Sequence, residues 1–153
     1  MNHNGPDQPD AFVIPAFAVQ IACVKAGKLQ PVTLVGNIAV EQDLPDVRDV
    51  ARVCSLAIKR VGTLIPGEGL NLACGVRRWI GYILMEMIAQ SGMDIAVETD
   101  PVGLRPVDIQ VTSGDARAAT QLLGHRPEID FSTMLRDAIA NSVKPPAIAR
   151  KGR

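Results

Sequence analysis

The chain has 153 residues, 47% of them hydrophobic, which is enough for one domain with a real core. Lys and Arg together number 16, matched by 16 Asp and Glu, and aromatic residues make up only 3%. A neutral, aromatic-poor chain is badly suited to nucleic acid or an anionic membrane surface, and no apolar run reaches the roughly 18 residues that span a bilayer. No basic-apolar-small start marks a secretory signal. Cys23, Cys54 and Cys74 are well separated and form no C-x-x-C, so they read as reduced, buried thiols of a cytoplasmic protein. His3 and His125 stand far apart, and the sequence offers no zinc site.

Residues 1 to 10 are polar and rich in Pro and Asn, the composition of a frayed terminus, and loose packing is expected through residue 14. Pro15 suits the first turn of a helix on which Phe17, Ile21 and Val24 recur, with Gly27 as the stop. Pro31 to Gly36 reads as a short strand ending in a Gly36–Asn37 turn. Asp46 can cap a helix whose apolar face is Val50, Val53, Cys54, Ala57, Ile58 and Val61, ended by Gly62. Arg48 and Asp49, at its start, are expected to pair or cap. Gly69 to Gly75 is a small-residue strand pattern. Arg77 to Gln90 follows as a helix with Trp79, Ile80, Ile83, Leu84, Met87 and Ile88 on one side and its methionines as core filler. Asp94 to Thr99 alternates as a half-buried strand.

Asp100 to Phe131 holds the main candidate for chemistry. Pro106 fixes its own φ and pushes Arg105 into an extended shape, and Asp108 follows three residues later. A guanidinium on a stiff loop can grip a diphosphate with two hydrogen bonds, or form a surface pair with Asp108. Ser113 is placed to cap a short helix ending at Leu123–Gly124, and Phe131–Ser132 opens a last helix with Leu135, Ala138 and Ile139 inward. Lys144 to Arg153 carries two prolines and four basic residues, and residues 143–153 read as a solvated, disordered tail.

Several of these motifs recur together in one family. Arg105-Pro-Val-Asp108, Gly114-Asp115, Leu123-Gly-His-Arg-Pro127 and Phe131 resemble the C-terminal, substrate-binding part of nucleotide-sugar-modifying short-chain dehydrogenases. The nearest branch is that of GDP-mannose 4,6-dehydratase and GDP-4-keto-6-deoxymannose reductase. The resemblance extends to Asn2-His-x-Gly5-Pro6, Gly36-Asn37, Asp46-Val-Arg-Asp49 and Asn71 to Gly75, so it covers residues 1 to about 142.

It implies an α/β fold: a late strand (Gly69–Gly75) and helix of a nucleotide-binding sheet joined to a small mixed substrate lobe. It also implies a GDP-sugar as ligand, GDP-mannose or GDP-4-keto-6-deoxymannose, and substrate contacts at Asn2, Asn37, Gln42, Arg105 and Asp108. At the place of Gln42 the family usually has an arginine, and glutamine can donate a hydrogen bond but brings no charge. Asp7 and Gln8, where the dehydratase branch tends to be basic, lean the resemblance toward the reductase branch.

The intact family enzyme uses NAD(P), held by a glycine-rich turn between strand and helix, and a tyrosine with a lysine four residues on. Neither pattern occurs in these residues. Gly67-Glu-Gly69 precedes a strand pattern, and Tyr82, the one tyrosine, has Glu86 four residues later. Tyr82 reads as a packing residue. No Ser-His-Asp or Cys-His set offers a substitute.

The expectation is therefore a chain that binds no NAD(P) and runs no catalysis by itself. It would be a truncated product, or half of a split enzyme whose partner chain carries the dinucleotide-binding domain, or a homo-oligomer. The alternative is a non-catalytic interaction protein, or a decayed remnant, using the exposed apolar faces of the Val50–Val61 and Trp79–Ile88 helices.

Overall fold

The computed structural model describes residues 2–103 and 109–142. Arg105, Asp108 and the basic tail from residue 143 lie outside the described residues.

Helix α1 (Val13–Lys25) starts as its proline predicts, since a first-turn residue has no intrahelical N–H bond to lose. It buries Ile14, Phe17, Ala18, Ile21 and Val24. Gly27 adopts φ +68° just past its end. Strands β1 (Val32–Val35) and β2 (Glu41–Asp43) follow, then helix α2 (Val47–Lys59), capped by the Asp46 carboxylate, which accepts from the Arg48 amide at 2.8 Å. Next come β3 (Arg77–Trp79) and helix α3 (Ile80–Ser91), stopped by left-handed Gly92. The order closes with β4 (Ala96–Thr99), β5 (Val111–Thr112), α4 (Arg117–Leu123) and α5 (Phe131–Asn141).

The strands form two small sheets, which makes the fold α/β as expected. β1 runs parallel to β4 with Thr33 opposite Val97, and β2 lies between antiparallel β3 and parallel β5. Helices α1, α3 and α5 pack on one another, and Ile21, Ile83, Met87 and Leu135 among them are fully buried. Each such side chain contributes about 1.5–3 kcal/mol on leaving water, which makes this layer the stabilising centre. Val35, Val40, Leu44 and Ile95 join the same cluster from the strands and their flanks.

The outer edge of β1 is closed by a side chain. In a parallel pair alternate residues turn their backbone groups to the neighbour, and the Asp100 amide reaches the Val35 carbonyl at 2.8 Å. Leu34 therefore faces away, and there Gln20 of α1 takes both its groups. The amide nitrogen donates to the Leu34 carbonyl at 3.1 Å, and the amide oxygen accepts from the Leu34 N–H at 2.9 Å.

Several expectations are corrected. Residues 1–14 do not pack loosely throughout: Asn4 is 1% exposed, its N–H bonds the Pro45 carbonyl and its carbonyl accepts from Val47. Gly5 allows this, since a Cβ there would lie 2.1 Å from Val47 Cγ1. Residues 69–75 form no strand, because no described strand lies alongside to ladder with them. Arg77–Trp79 is a strand rather than the first turn of a helix: pairing with β2 outweighs helical periodicity, and Trp79 is 61% exposed.

The short helix before Gly124 is not capped by Ser113. It starts at Arg117, and Asp115 accepts from the Arg117 N–H instead. On α2 only Asp49 and Val53 are buried, whereas Cys54 and Ile58 of its apolar face are exposed. Cys23 and Cys74 are half-buried, so the thiols are not the buried set expected. Met87 fills the core, but Met85 points to solvent.

Candidate functional site

The candidate site is built on β2. Gln42, its middle residue, sits opposite Arg78 of β3 on one side and Thr112 of β5 on the other. Paired residues in a sheet share a face, so these three polar side chains stand together. Asn2 reaches the same place from the N-terminal segment, its amide nitrogen donating to Gln42 Oε1 at 3.2 Å. The structure thus joins two of the predicted site residues, 40 positions apart in sequence.

Asn37 is placed at the turn after β1, where its Oδ1 accepts from the Ala39 N–H at 3.1 Å. Arg105 and Asp108 lie in the stretch outside the described residues, but both ends of that stretch are fixed. Gly103 packs on Gly36, next to Asn37: a Cβ on Gly36 would be 2.5 Å from the Gly103 carbonyl oxygen. At the other end, the Gln110 carbonyl accepts from the Glu41 amide at 2.8 Å, one residue from Gln42. The described residues that flank the stretch are thus Gly103, beside the Asn37 turn, and Gln110, beside the Gln42 strand.

Arg78 was missed by the sequence reading, which had placed it on a helix. Its guanidinium carbon lies 4.0 Å from the centre of the Phe131 ring, which in turn stacks against Tyr82 with centroids 6.2 Å apart. Tyr82 thus packs on one ring and is otherwise half exposed. No local pattern marks Arg78, since two arginines before a tryptophan do not alternate; the strand comes from pairing with β2.

The other side of the sheet is structural. Asp43 is fully buried and accepts from the Cys74 and Gly75 amides at 3.0 and 2.9 Å and from the Cys74 thiol. Burial, and then the Asp43 carboxylate, push the Cys74 thiol up. Trp79 donates to Glu41 at 2.7 Å.

Arg48 and Asp49 each form ion pairs, though with other residues and not with one another. Arg48 bridges Asp46 and Asp137, at 2.8 and 2.7 Å, and those two carboxylates hold it firmly protonated. Asp49 is buried, which raises its pKa, but Arg52 and the Glu128 and Ile129 amides outweigh that and leave it below the ordinary value. This set ties α2 to the Arg126–Ile129 loop. Buried His125 sits beside it, its pKa lowered by desolvation and then by Arg52.

A cleft of about 320 Å³ opens between the N-terminal segment and Val47, with Asn2 and Phe12 on its walls. Gln42 and Arg78 do not line it. Among the described residues no group of three or more His, Cys, Asp or Glu could hold a metal ion.

The ends of β1 and β2 offer no cradle for the pyrophosphate of NAD(P). A pyrophosphate needs a glycine turn between a strand and the open N-terminus of a helix. After β1, the space over Gly36 is filled by Gly103, and the chain continues to β2 rather than to a helix. After β2, the start of α2 is taken by the Asp46 carboxylate, which would repel a phosphate.

The fold is an α/β portion of an extended short-chain dehydrogenase. The RMD structure from Pseudomonas aeruginosa, solved with NADPH, superposes with a TM-score of 0.85 at 26% identity over 93% of this chain and 46% of that one. The profile of the family described as GDP-mannose 4,6 dehydratase matches residues 1–138, and the chain belongs to that family. GDP-6-deoxy-D-mannose reductase of Pseudomonas aeruginosa is 28% identical over 92% of this chain. GDP-mannose 4,6-dehydratase of Sinorhizobium fredii is 27% identical over 94% of it. The chain spans 45% and 44% of these two proteins. No helix is long and apolar enough to cross a membrane.

Proposed function

We propose that residues 1–142 are the C-terminal, substrate-binding half of a GDP-sugar-modifying enzyme, nearer the reductase than the dehydratase, and that this chain binds the nucleotide sugar without catalysing its reaction alone. The observation that carries the reading is the meeting of Asn2 with Gln42, two residues far apart in sequence, on the face of β2. Arg105 would grip the diphosphate, Asp108 would orient it, and Asn37 would hold the nucleoside end. The lean toward the reductase rests on Asp7 and Gln8, where the dehydratase branch tends to be basic.

NAD(P) would be bound elsewhere, by a segment carrying the glycine-rich turn. Two features would receive such a segment: Leu70–Ala73, which lies outside any ladder, and the exposed apolar side chains Ile58, Val61 and Ile65. A parallel sheet is normally covered on both faces, and the exposed side of α2 would cover one. Half-exposed free thiols suit a reducing cytoplasmic setting.

Thermal melting of the purified chain with GDP and GDP-mannose tests the reading. Ligand at 100 times its Kd adds about 2.7 kcal/mol of stability, and Arg105→Ala should abolish the shift. No shift at millimolar ligand would remove the binding role. Turnover by this chain with NADPH and no helper would refute its inactivity.

The exposed Ile58–Ile65 side chains also support a second reading, a protein that assembles through that face. Sedimentation decides it: self-association that Ile58→Ser abolishes, with no GDP effect on melting, would favour assembly over nucleotide binding.

A further inference from the structure

We propose that Arg78 is a phosphate-binding residue of the nucleotide-sugar site, holding the diphosphate from the strand beside Gln42; this rests on the reading above and adds a residue to it. Gln42 offers an amide but no charge. Arg78 is its register partner across β2 and β3, so their Cβ atoms lie about 5 Å apart on one face of the sheet. Asn2 already bonds Gln42 there, and Thr112 flanks it from β5, so the four side chains form one polar face with a single cation.

The guanidinium is held and yet unspent. Phe131 lies under it at 4.0 Å, and an aromatic face attracts the cation without using its N–H donors. Arg78 forms no ion pair with any described residue, whereas its neighbour Arg77, on the opposite face, leans toward Glu41 at 3.8 Å. A half-buried arginine positioned by a ring, with five donors free and an amide pair beside it, suits an oxyanion that can be gripped by two hydrogen bonds.

The alternative is that Arg78 does nothing but cover Phe131. Arg78→Met separates the two, since it keeps an unbranched apolar cover and removes the charge. Calorimetric titration of the chain with inorganic pyrophosphate, GDP and guanosine is the test, with melting temperature measured alongside.

The expected result is a melting temperature close to that of the original chain, loss of pyrophosphate and GDP affinity by about tenfold or more, and unchanged guanosine binding. Arg78→Lys should recover part of the loss, because it restores the charge but not the fork. If Arg78→Met binds GDP and pyrophosphate like the original chain, Arg78 has no ligand role, while the nucleotide-sugar reading stands. An equal loss for guanosine together with a lowered melting temperature assigns Arg78 to packing and also overturns the proposal. Arg78-dependent pyrophosphate binding with no gain from GDP would uphold the anion site and remove the nucleotide sugar from it. A chain that binds none of the three overturns both.

Discussion

Two stretches of this chain carry the composition of a buried strand, Val32–Val35 and Leu70–Ala73, and only the first is one. The difference lies in what stands beside them. β1 has β4 on one edge and the Gln20 amide on the other, with Val35 turned into the helical core. Residues 70–73 have Asp43 gripping the chain just after them, but no described strand paired with them. β-propensity describes a fit to a pleated, paired surface, so the same kind of sequence stays unladdered when the surface is missing. The contrast divides the molecule into a side that completes itself and a side, α2 with residues 61–73, that leaves Ile58, Val61 and Ile65 in solvent.

The strongest way to break this comparison is to truncate one side chain from each region. Leu135 is fully buried among α1, α3 and α5, so Leu135→Ala should lower unfolding stability by about 2–5 kcal/mol in urea melts. Ile58, 74% exposed, should tolerate serine within about 0.5 kcal/mol in the isolated chain. A comparable loss at Ile58 would mean that α2 is covered after all. Next in size is Asp49, which ties α2 to the loop before α5. Asp49→Asn should cost about 1.5–3 kcal/mol at neutral pH, the worth of hydrogen bonds to a charged group.

The sign with pH follows from the depressed carboxyl. Its contribution is full above the ordinary value near 3.8 and drains away as pH falls through the lower folded value, so the mutant should lose less between pH 5 and pH 2 than the original chain. A parallel pair of acid melts checks it. His125 runs at higher pH. Burial, then Arg52, keep its folded pKa below 6.5, so the unfolded chain binds more protons and stability should decline as pH drops below about 6.5. His125→Gln should flatten that slope in urea midpoints measured at pH 7.5 and 5.5. An unchanged slope would place the titration elsewhere.

The helices were largely legible because each carries its own period and punctuation. Pro15 and Gly27 bracket α1, Asp46 caps α2, and left-handed Gly92 and Gly124 close α3 and α4. What was not legible depends on partners distant in sequence. Arg77–Trp79 continues an apolar helical pattern, and only pairing with Glu41–Asp43 turns it into a strand and moves Arg78 onto the Gln42 face. The Ser113 cap failed for a local reason: Asp115 offers a carboxylate two residues nearer the helix, and its bond to Arg117 holds it at a pKa of about 2. At the site, motif resemblance singled out Asn2 and Gln42, and the fold brought them together. Asn37 had the same standing in the sequence and lies at the turn after β1, where its Oδ1 accepts from the Ala39 N–H.

The smallest expected effect concerns Gln20, and it sharpens the contrast most. Gln20→Leu keeps the volume and the helical propensity of α1 but leaves the Leu34 N–H and carbonyl without their amide partner. Leu34 is itself half exposed, so water recovers part of the loss, and the cost should be about 1 kcal/mol rather than that of a sealed, unsatisfied pair. Amide hydrogen exchange reads the local consequence. In the original chain the Leu34 amide should be protected and the amides of Leu70–Ala73 should exchange freely; in Gln20→Leu, Leu34 should join them while Val35 stays protected by β4. Strong protection at Leu70–Ala73 in the isolated chain would show that this segment has found a neighbour, and the division into a finished and an unfinished side would fall.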